Sequence, residues 1–113
     1  MTPHPARLTL LMRIEPGCLG PDGKLHIATF CAAATRLFAA SAPQGLCWQL
    51  IPRHDKRLPE LSFLLQDQTL TDPQAERYLQ RLGLALAPLR EQADERLAEL
   101  VDRYLKTLGS RSP

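Results

Sequence analysis

The segment that follows residue 71 limits the possible folds more than any other part of the chain. Apolar residues recur there at three- and four-residue spacing, which is the period of one helix face. They are Leu79, Leu82, Leu86, Leu89, Ala93, Leu97, Leu100 and Tyr104. An unbroken helix of roughly 37 residues would be about 55 Å long, more than the diameter of a domain this size. The helix must therefore turn back or meet another chain.

Local residues mark the start, the weak point and the end of this helix. Residues 71–74, Thr-Asp-Pro-Gln, supply two rival N-caps: a capping box on the threonine, or the aspartate followed by proline at N1. Pro88 and Gly83 interrupt the pattern, because proline lacks a backbone donor and glycine has a low helix propensity. We predict a kink or break within residues 83–88, and an end at Gly109.

The first part of the chain contains one strand pattern and one helix pattern. Period-two alternation from Leu8 predicts a half-buried strand, and a Pro-Gly pair at residues 16–17 ends it. Asp22 then caps a helix from about Lys24 to Ala40. The apolar stripe of this helix comprises Ile27, Phe30, Cys31, Ala34, Leu37 and Phe38.

Two further strands, residues 46–51 and 61–66, complete the predicted sheet. The polar segment 52–60 suits a hairpin, and a right-handed crossover makes the first two strands parallel. We predict an α+β domain in the order β-α-β-β-α(α), with a three-stranded mixed sheet, helices on one face and a long kinked C-terminal helix. The third strand is expected between the first two. This topology resembles a ferredoxin-like plait without its last strand, which implies no function.

Length and composition favour one domain over residues 1–113, with loose ends at 1–6 and 109–113. Hydrophobic residues make up 44% of the chain and charged residues 23%, which suits a folded core rather than disorder. Three cysteines are too few for a disulfide scaffold. The longest apolar stretch, around residues 25–34, is too short to cross a bilayer. We expect a cytoplasmic protein with no membrane partner.

Three large aliphatic residues fall on the predicted open face of the sheet. They are Leu11, Ile51 and Leu64, which alternate with the residues expected to face the helices. An exposed apolar patch more often marks an interface than a solvated surface, and the first strand is expected to be a free edge. We therefore predict a homodimer or a complex with a protein partner, with these three residues in the interface.

A cationic segment in the predicted hairpin is the strongest candidate for ligand binding, because such a loop can contact phosphates. The candidate residues are Arg53, His54, Lys56 and Arg57, extended by Arg13 on the neighbouring strand. Against this interpretation, loop tips are often charged because they are solvated, and Asp55 and Glu60 offset part of the charge. The net charge of +2 is small for a nucleic-acid-binding protein.

Cys18 is the candidate for a reactive thiol. It precedes a predicted helix, whose N-terminus would stabilise a thiolate, and His26 is eight residues away. The rival interpretation is a small residue in a tight turn with His26 facing solvent. Cys31 and Cys47 fall on the helix stripe and in a strand, without the paired spacing of a zinc site. We predict no metal ion and no cofactor.

No motif in the sequence assigns an activity, since phosphate-binding glycine loops, nucleophile elbows and zinc-protease motifs are all missing. The sequence therefore leaves open whether the protein is an enzyme, and it favours a protein without enzymatic activity. The leading interpretation is a non-catalytic, homodimeric binding or adaptor domain. One alternative is a weak nucleic-acid-binding module that uses the Arg53–Arg57 segment. The other is a small thiol-dependent enzyme that uses Cys18.

Overall fold

A computed structural model of the protein describes residues 7–43, 45–66 and 68–110. The predicted loose end 1–6, and residues 111–113 of the predicted loose end 109–113, lie outside it. The elements in chain order are β1 Leu8–Ile14, a 3₁₀ turn Pro16–Leu19, α1 Gly23–Ala40, β2 Leu46–Pro52, β3 Leu61–Leu65, β4 Gln68–Leu70, α2 Asp72–Arg81 and α3 Leu86–Ser110. The α+β class is confirmed. The short strand β4 was not predicted.

β1 is an inner strand of a four-stranded mixed sheet with the order β2-β1-β3-β4. It pairs parallel with β2 and antiparallel with β3, which in turn pairs antiparallel with β4. This arrangement corrects the predicted three-stranded plait, because β1 rather than β3 lies between the other two predicted strands. β1 is therefore not a free edge. The inner position suits β1 because it is apolar on both faces: Leu8 and Leu10 are fully buried on one, and Leu11 is 9% exposed on the other.

The segment 53–60 crosses the end of β1 and does not form the predicted hairpin. Since β1 separates β2 from β3, this crossover loop spans two strand spacings, about 10 Å. Backbone hydrogen bonds continue both strand pairings up to the crossing. The amide of Arg53 donates to the carbonyl of Ile14 at 2.8 Å, and the amide of Arg13 donates to the carbonyl of Glu60 at 2.7 Å.

The helices pack together with one face of the sheet to form a single core. The strands contribute Leu8, Leu10, Met12, Ile14, Leu46, Trp48, Leu50 and Phe63. The helices contribute Ile27, Phe30, Cys31, Ala34 and Phe38 from α1, Ala75 and Leu79 from α2, and Leu86, Leu89 and Ala93 from α3. Of the predicted α1 stripe, Leu37 alone is exposed, at 44%. Within the described residues, no helix has the length and apolar character needed to cross a membrane.

The predicted break in the C-terminal helical segment is confirmed and lies between α2 and α3, at residues 82–85. Gly83 adopts φ +75°, a conformation that glycine reaches without steric cost. Pro88 falls in the first turn of α3, where its missing N–H removes no intrahelical hydrogen bond. The predicted end at Gly109 is wrong, because α3 continues to Ser110.

Gly23 makes the close approach between the 3₁₀ turn and α1 possible, since a Cβ there would collide with the carbonyl of Pro16. We predict that Gly23→Ala lowers the free energy of unfolding by about 1–3 kcal/mol, because the turn must shift away from the helix. Urea denaturation measures this change. A Cβ at Gly17 meets nothing within 4 Å, so Gly17→Ala is the matched control, with an expected change below about 0.5 kcal/mol. Equal effects of the two substitutions would contradict the assignment.

Candidate functional site

Arg53 holds the crossover loop together from within. Its Nη1 lies 3.1 Å from Oε1 of Glu15 and 3.5 Å from Oε1 of Glu60. Its Nη2 donates to the carbonyls of Lys56 at 3.2 Å and Leu58 at 3.0 Å. The side chain is only 16% exposed. Arg53 therefore joins the residue after β1, the residue before β3 and the loop between them.

The other two arginines of the predicted binding patch also bond within the chain. Nη1 of Arg13 donates to the carbonyl of Pro59 at 2.9 Å and to Oγ of Ser62 at 2.7 Å. Arg57 binds Asp55 in a bidentate pair, with both N–O distances at 3.0 Å. The side-chain and backbone hydrogen bonds from Arg57 lower the pKa of the Asp55 carboxyl. All three guanidinium groups thus have partners inside the chain.

His54 and Lys56 are the remaining members of the predicted patch. Both are exposed, and neither side chain forms a hydrogen bond or ion pair with another described residue. The structure therefore brings the predicted residues to one loop but leaves only these two side chains uncommitted. A phosphate ligand would have to displace Glu15 or Asp55 to reach an arginine in the loop, which weakens the case for a phosphate-binding surface.

Cys18 lies in the 3₁₀ turn and is exposed at a cleft of about 170 Å³ beside the C-terminal end of β1. Five charged residues also line this cleft, namely Arg13, Glu15, Glu60, Arg90 and Asp94. His26 is not among the lining residues, because its ring packs against Tyr104 with centroids 6.1 Å apart. The structure therefore does not bring the predicted thiol and imidazole together as a nucleophile and its base.

The three cysteines occupy three different environments. Cys31 is 2% exposed, and its burial raises the pKa of the thiol to about 11. Cys47 is exposed on β2, on the sheet face opposite the core. Among the described residues, no group of three His, Cys, Asp or Glu side chains is placed to hold a metal ion.

Leu11, Ile51 and Leu64 lie on the open face of the sheet, the face turned away from the helices. In the strand register Ile51 is opposite Arg13, and Leu64 is opposite Thr9, two residues to either side of Leu11. The three aliphatic side chains therefore form a diagonal row across β2, β1 and β3. Ile51 and Leu64 are half-buried. The uncharged neighbours on this face are Thr9, Cys47, Gln49, Ser62 and Thr69.

The edges of the sheet are poorly suited to adding a strand from another chain. On the β2 edge, Oγ1 of Thr35 accepts from the amide of Leu50 at 2.9 Å and donates to its carbonyl at 3.3 Å. Pro52 ends this strand and has no amide hydrogen. The opposite edge, β4, is only three residues long. Short or blocked edges disfavour strand addition, so the open face is the better candidate for association.

A second surface, which was not predicted from the sequence, is an apolar groove of about 220 Å³ between α1 and α3. Leu37 lines it from α1, and Leu100 and Tyr104 line it from α3. The spacing of apolar residues did predict a stripe on each of these two helices. Periodicity alone cannot show that the two stripes are too far apart to close over each other.

No protein-family model, curated protein or solved structure matches this chain. The fold and its surfaces are therefore the basis on which a function can be argued. A fold by itself does not determine an activity, which depends on particular residues and their contacts.

Arg53 and Arg57 should differ in their effects on stability. We predict that Arg53→Met lowers the free energy of unfolding by about 1–3 kcal/mol, because Glu15 and two carbonyls lose their donor. Arg57→Met should leave the urea midpoint unchanged within error, since its ion pair is solvent-exposed. Equal effects of the two substitutions would show that Arg53 does not organise the loop.

The raised pKa of Cys31 predicts a pH dependence above pH 9. The unfolded thiol ionises near its ordinary pKa of 9.0, whereas the folded thiol ionises near 11. The stability linked to this group is fully present below pH 9 and is lost as the pH rises to about 11. The urea midpoint should therefore fall more steeply between pH 9 and 11 for the unmodified protein than for Cys31→Ala. Parallel pH profiles would contradict this prediction.

Proposed function

We propose that this protein is a non-catalytic binding domain that forms a homodimer through the open face of its sheet. The diagonal row of Leu11, Ile51 and Leu64 carries this proposal. Arg13 supplies the charge on the face, and its guanidinium is held by Ser62 and the carbonyl of Pro59. These partners satisfy the hydrogen bonds of the guanidinium when two faces stack, but neither is a carboxylate, so its burial also limits the strength of the dimer.

The size of the open face limits the strength of the dimer. Four strands spaced by about 4.8 Å, and a central strand that rises about 3.3 Å per residue over its seven residues, give a planar area of about 440 Å². Two stacked faces bury about 900 Å², below the roughly 1,200 Å² at which standard stable interfaces begin. We therefore expect a weak dimer whose population depends on protein concentration.

Size-exclusion chromatography with light scattering tests the dimer. We predict that the apparent mass rises from monomer towards dimer with increasing concentration, and that the double substitution Ile51→Glu and Leu64→Glu keeps the protein monomeric. Leu25 is 78% exposed on α1, so Leu25→Glu is the matched control and should behave as the unmodified protein. A monomer at every concentration, or equal dissociation by the control, would overturn the proposal.

The exposed cysteines provide an independent measurement of the same interface. Cys47 lies on the open face, whereas Cys18 lies in the 3₁₀ turn at the cleft. Thiol labelling of Cys47 should slow as the protein concentration rises, while labelling of Cys18 should not change. If Cys18 is protected and Cys47 is not, the association uses another surface.

The two alternative functions receive less support from the geometry. Nucleic-acid binding through the crossover loop would rely on His54 and Lys56, since the arginines have internal partners. Co-elution of material absorbing at 260 nm would favour it. Thiol chemistry at Cys18 would need a base that His26 does not supply. Neither alternative has an observation that favours it over the dimer.

A further inference from the structure

The two longest helices meet at two points and separate between them. At one point, Arg96 of α3 donates to the carbonyl of Leu37 at 3.0 Å and to Oγ of Ser41 at 2.6 Å. At the other, the ring of Tyr104 packs edge-on against Phe30, with centroids 5.4 Å apart. A groove of about 220 Å³ lies along the two helices, and Phe30, Leu37 and Tyr104 from these contacts line it.

The side chains of α1 keep this groove open. Ala33 and Ala34 line it and are too small to fill it, and Leu37 beside them is 44% exposed. The volume is below the roughly 300–1,000 Å³ of small-molecule sites. From Phe30 to Leu37 the groove follows about two helical turns, roughly 10 Å. This length matches the i, i+3 and i+7 side chains that an amphipathic helix places in a groove.

The charged side chain that lines the groove is complementary to an acidic group on a partner. α1 contains no aspartate or glutamate. Arg103 is the one charged residue that lines the groove, and it is exposed without a side-chain hydrogen bond or ion pair to any other described residue. Glu99 lies one turn earlier on α3 without forming an ion pair with it. An uncommitted guanidinium beside an apolar groove favours a ligand that brings its own carboxylate.

We propose that the groove between α1 and α3 binds an amphipathic helix of a partner protein, with a carboxylate of that helix paired to Arg103. The apolar stripe of the partner helix packs against Leu37 and Tyr104. Its carboxylate lies towards the C-terminal end of α3, away from Glu99. This surface is separate from the open face of the sheet, so the proposal does not depend on dimer formation.

Two synthetic helical peptides test the proposal by fluorescence anisotropy with the full chain. Both are alanine-rich, with leucines at i, i+3 and i+7, and one carries glutamates beside this stripe where the other carries lysines. The glutamate peptide should bind at least tenfold more tightly, and Arg103→Glu should reverse this preference. Arg90→Glu, an exposed change on the same helix outside the groove, should leave it intact.

A second pair of variants tests the groove itself. Ala33→Phe fills the groove and should weaken binding of the glutamate peptide at least tenfold. Ala32→Phe adds the same side chain at an exposed neighbouring position outside the groove and should have no effect. Circular dichroism and thermal unfolding establish that both variants are folded.

Three results would overturn the proposal. The first is that neither peptide binds, and the second is that Ala33→Phe binds as well as Ala32→Phe. The third is that Ala33→Phe abolishes dimer formation, which would make a second copy of this chain the occupant of the groove. The double substitution Ile51→Glu and Leu64→Glu should still bind the glutamate peptide, which keeps this test distinct from that of the sheet dimer.

Discussion

The two-sided pairing of β1 is the constraint on which the rest of the structure depends. β2 and β3 each pair with β1 and not with each other, so the chain between them must cross the end of β1. In a hairpin, hydrogen bonds between the two strands would have satisfied the backbone N–H and C=O groups beside the turn. Arg53 replaces them by joining Glu15, Glu60 and two loop carbonyls around one guanidinium. The strand order thus explains why Arg53, unlike the exposed Lys56 and Arg57, is directed into the loop.

Most features that depend on local sequence were predicted well, but the side chain of Asp22 forms no capping hydrogen bond at the start of α1. Thr71 and Gln74 form the capping box, with hydrogen bonds of 3.3 and 2.9 Å, because each partner is three residues from the other. The break between α2 and α3 likewise follows from two residues in or next to it, Gly83 and Pro88. The strand order was not predicted, because a short connection is compatible with either a hairpin or a crossing. Leu11 carried the missing signal, since a large apolar residue on the second face of β1 is typical of an inner strand.

The same contrast holds for the candidate site. The residue types could be predicted from the sequence, but their partners could not. The sequence identified the cationic loop, but the roles of Arg53 and of Arg13 depend on Glu15 and Ser62, which are brought close only by the sheet. Cys18 and His26 are near in sequence, yet the His26 ring packs against Tyr104, which lies close to the other end of the chain. Proximity along the chain is a poor guide to chemistry wherever a helix or strand separates two side chains.

The two-layer architecture gives the protein two surfaces with different properties. The open face of the sheet is broad, mostly uncharged and apolar along one diagonal, which suits contact with an identical face. The groove lies in the helical layer, is narrow, and carries the uncommitted cation Arg103. A dimer joined through its sheets would therefore present its two grooves on opposite outer surfaces. In such a dimer, a partner with two helical segments would bind more tightly than either segment alone, and would stabilise the dimer, only if the connection between the segments were long enough to reach both outer surfaces.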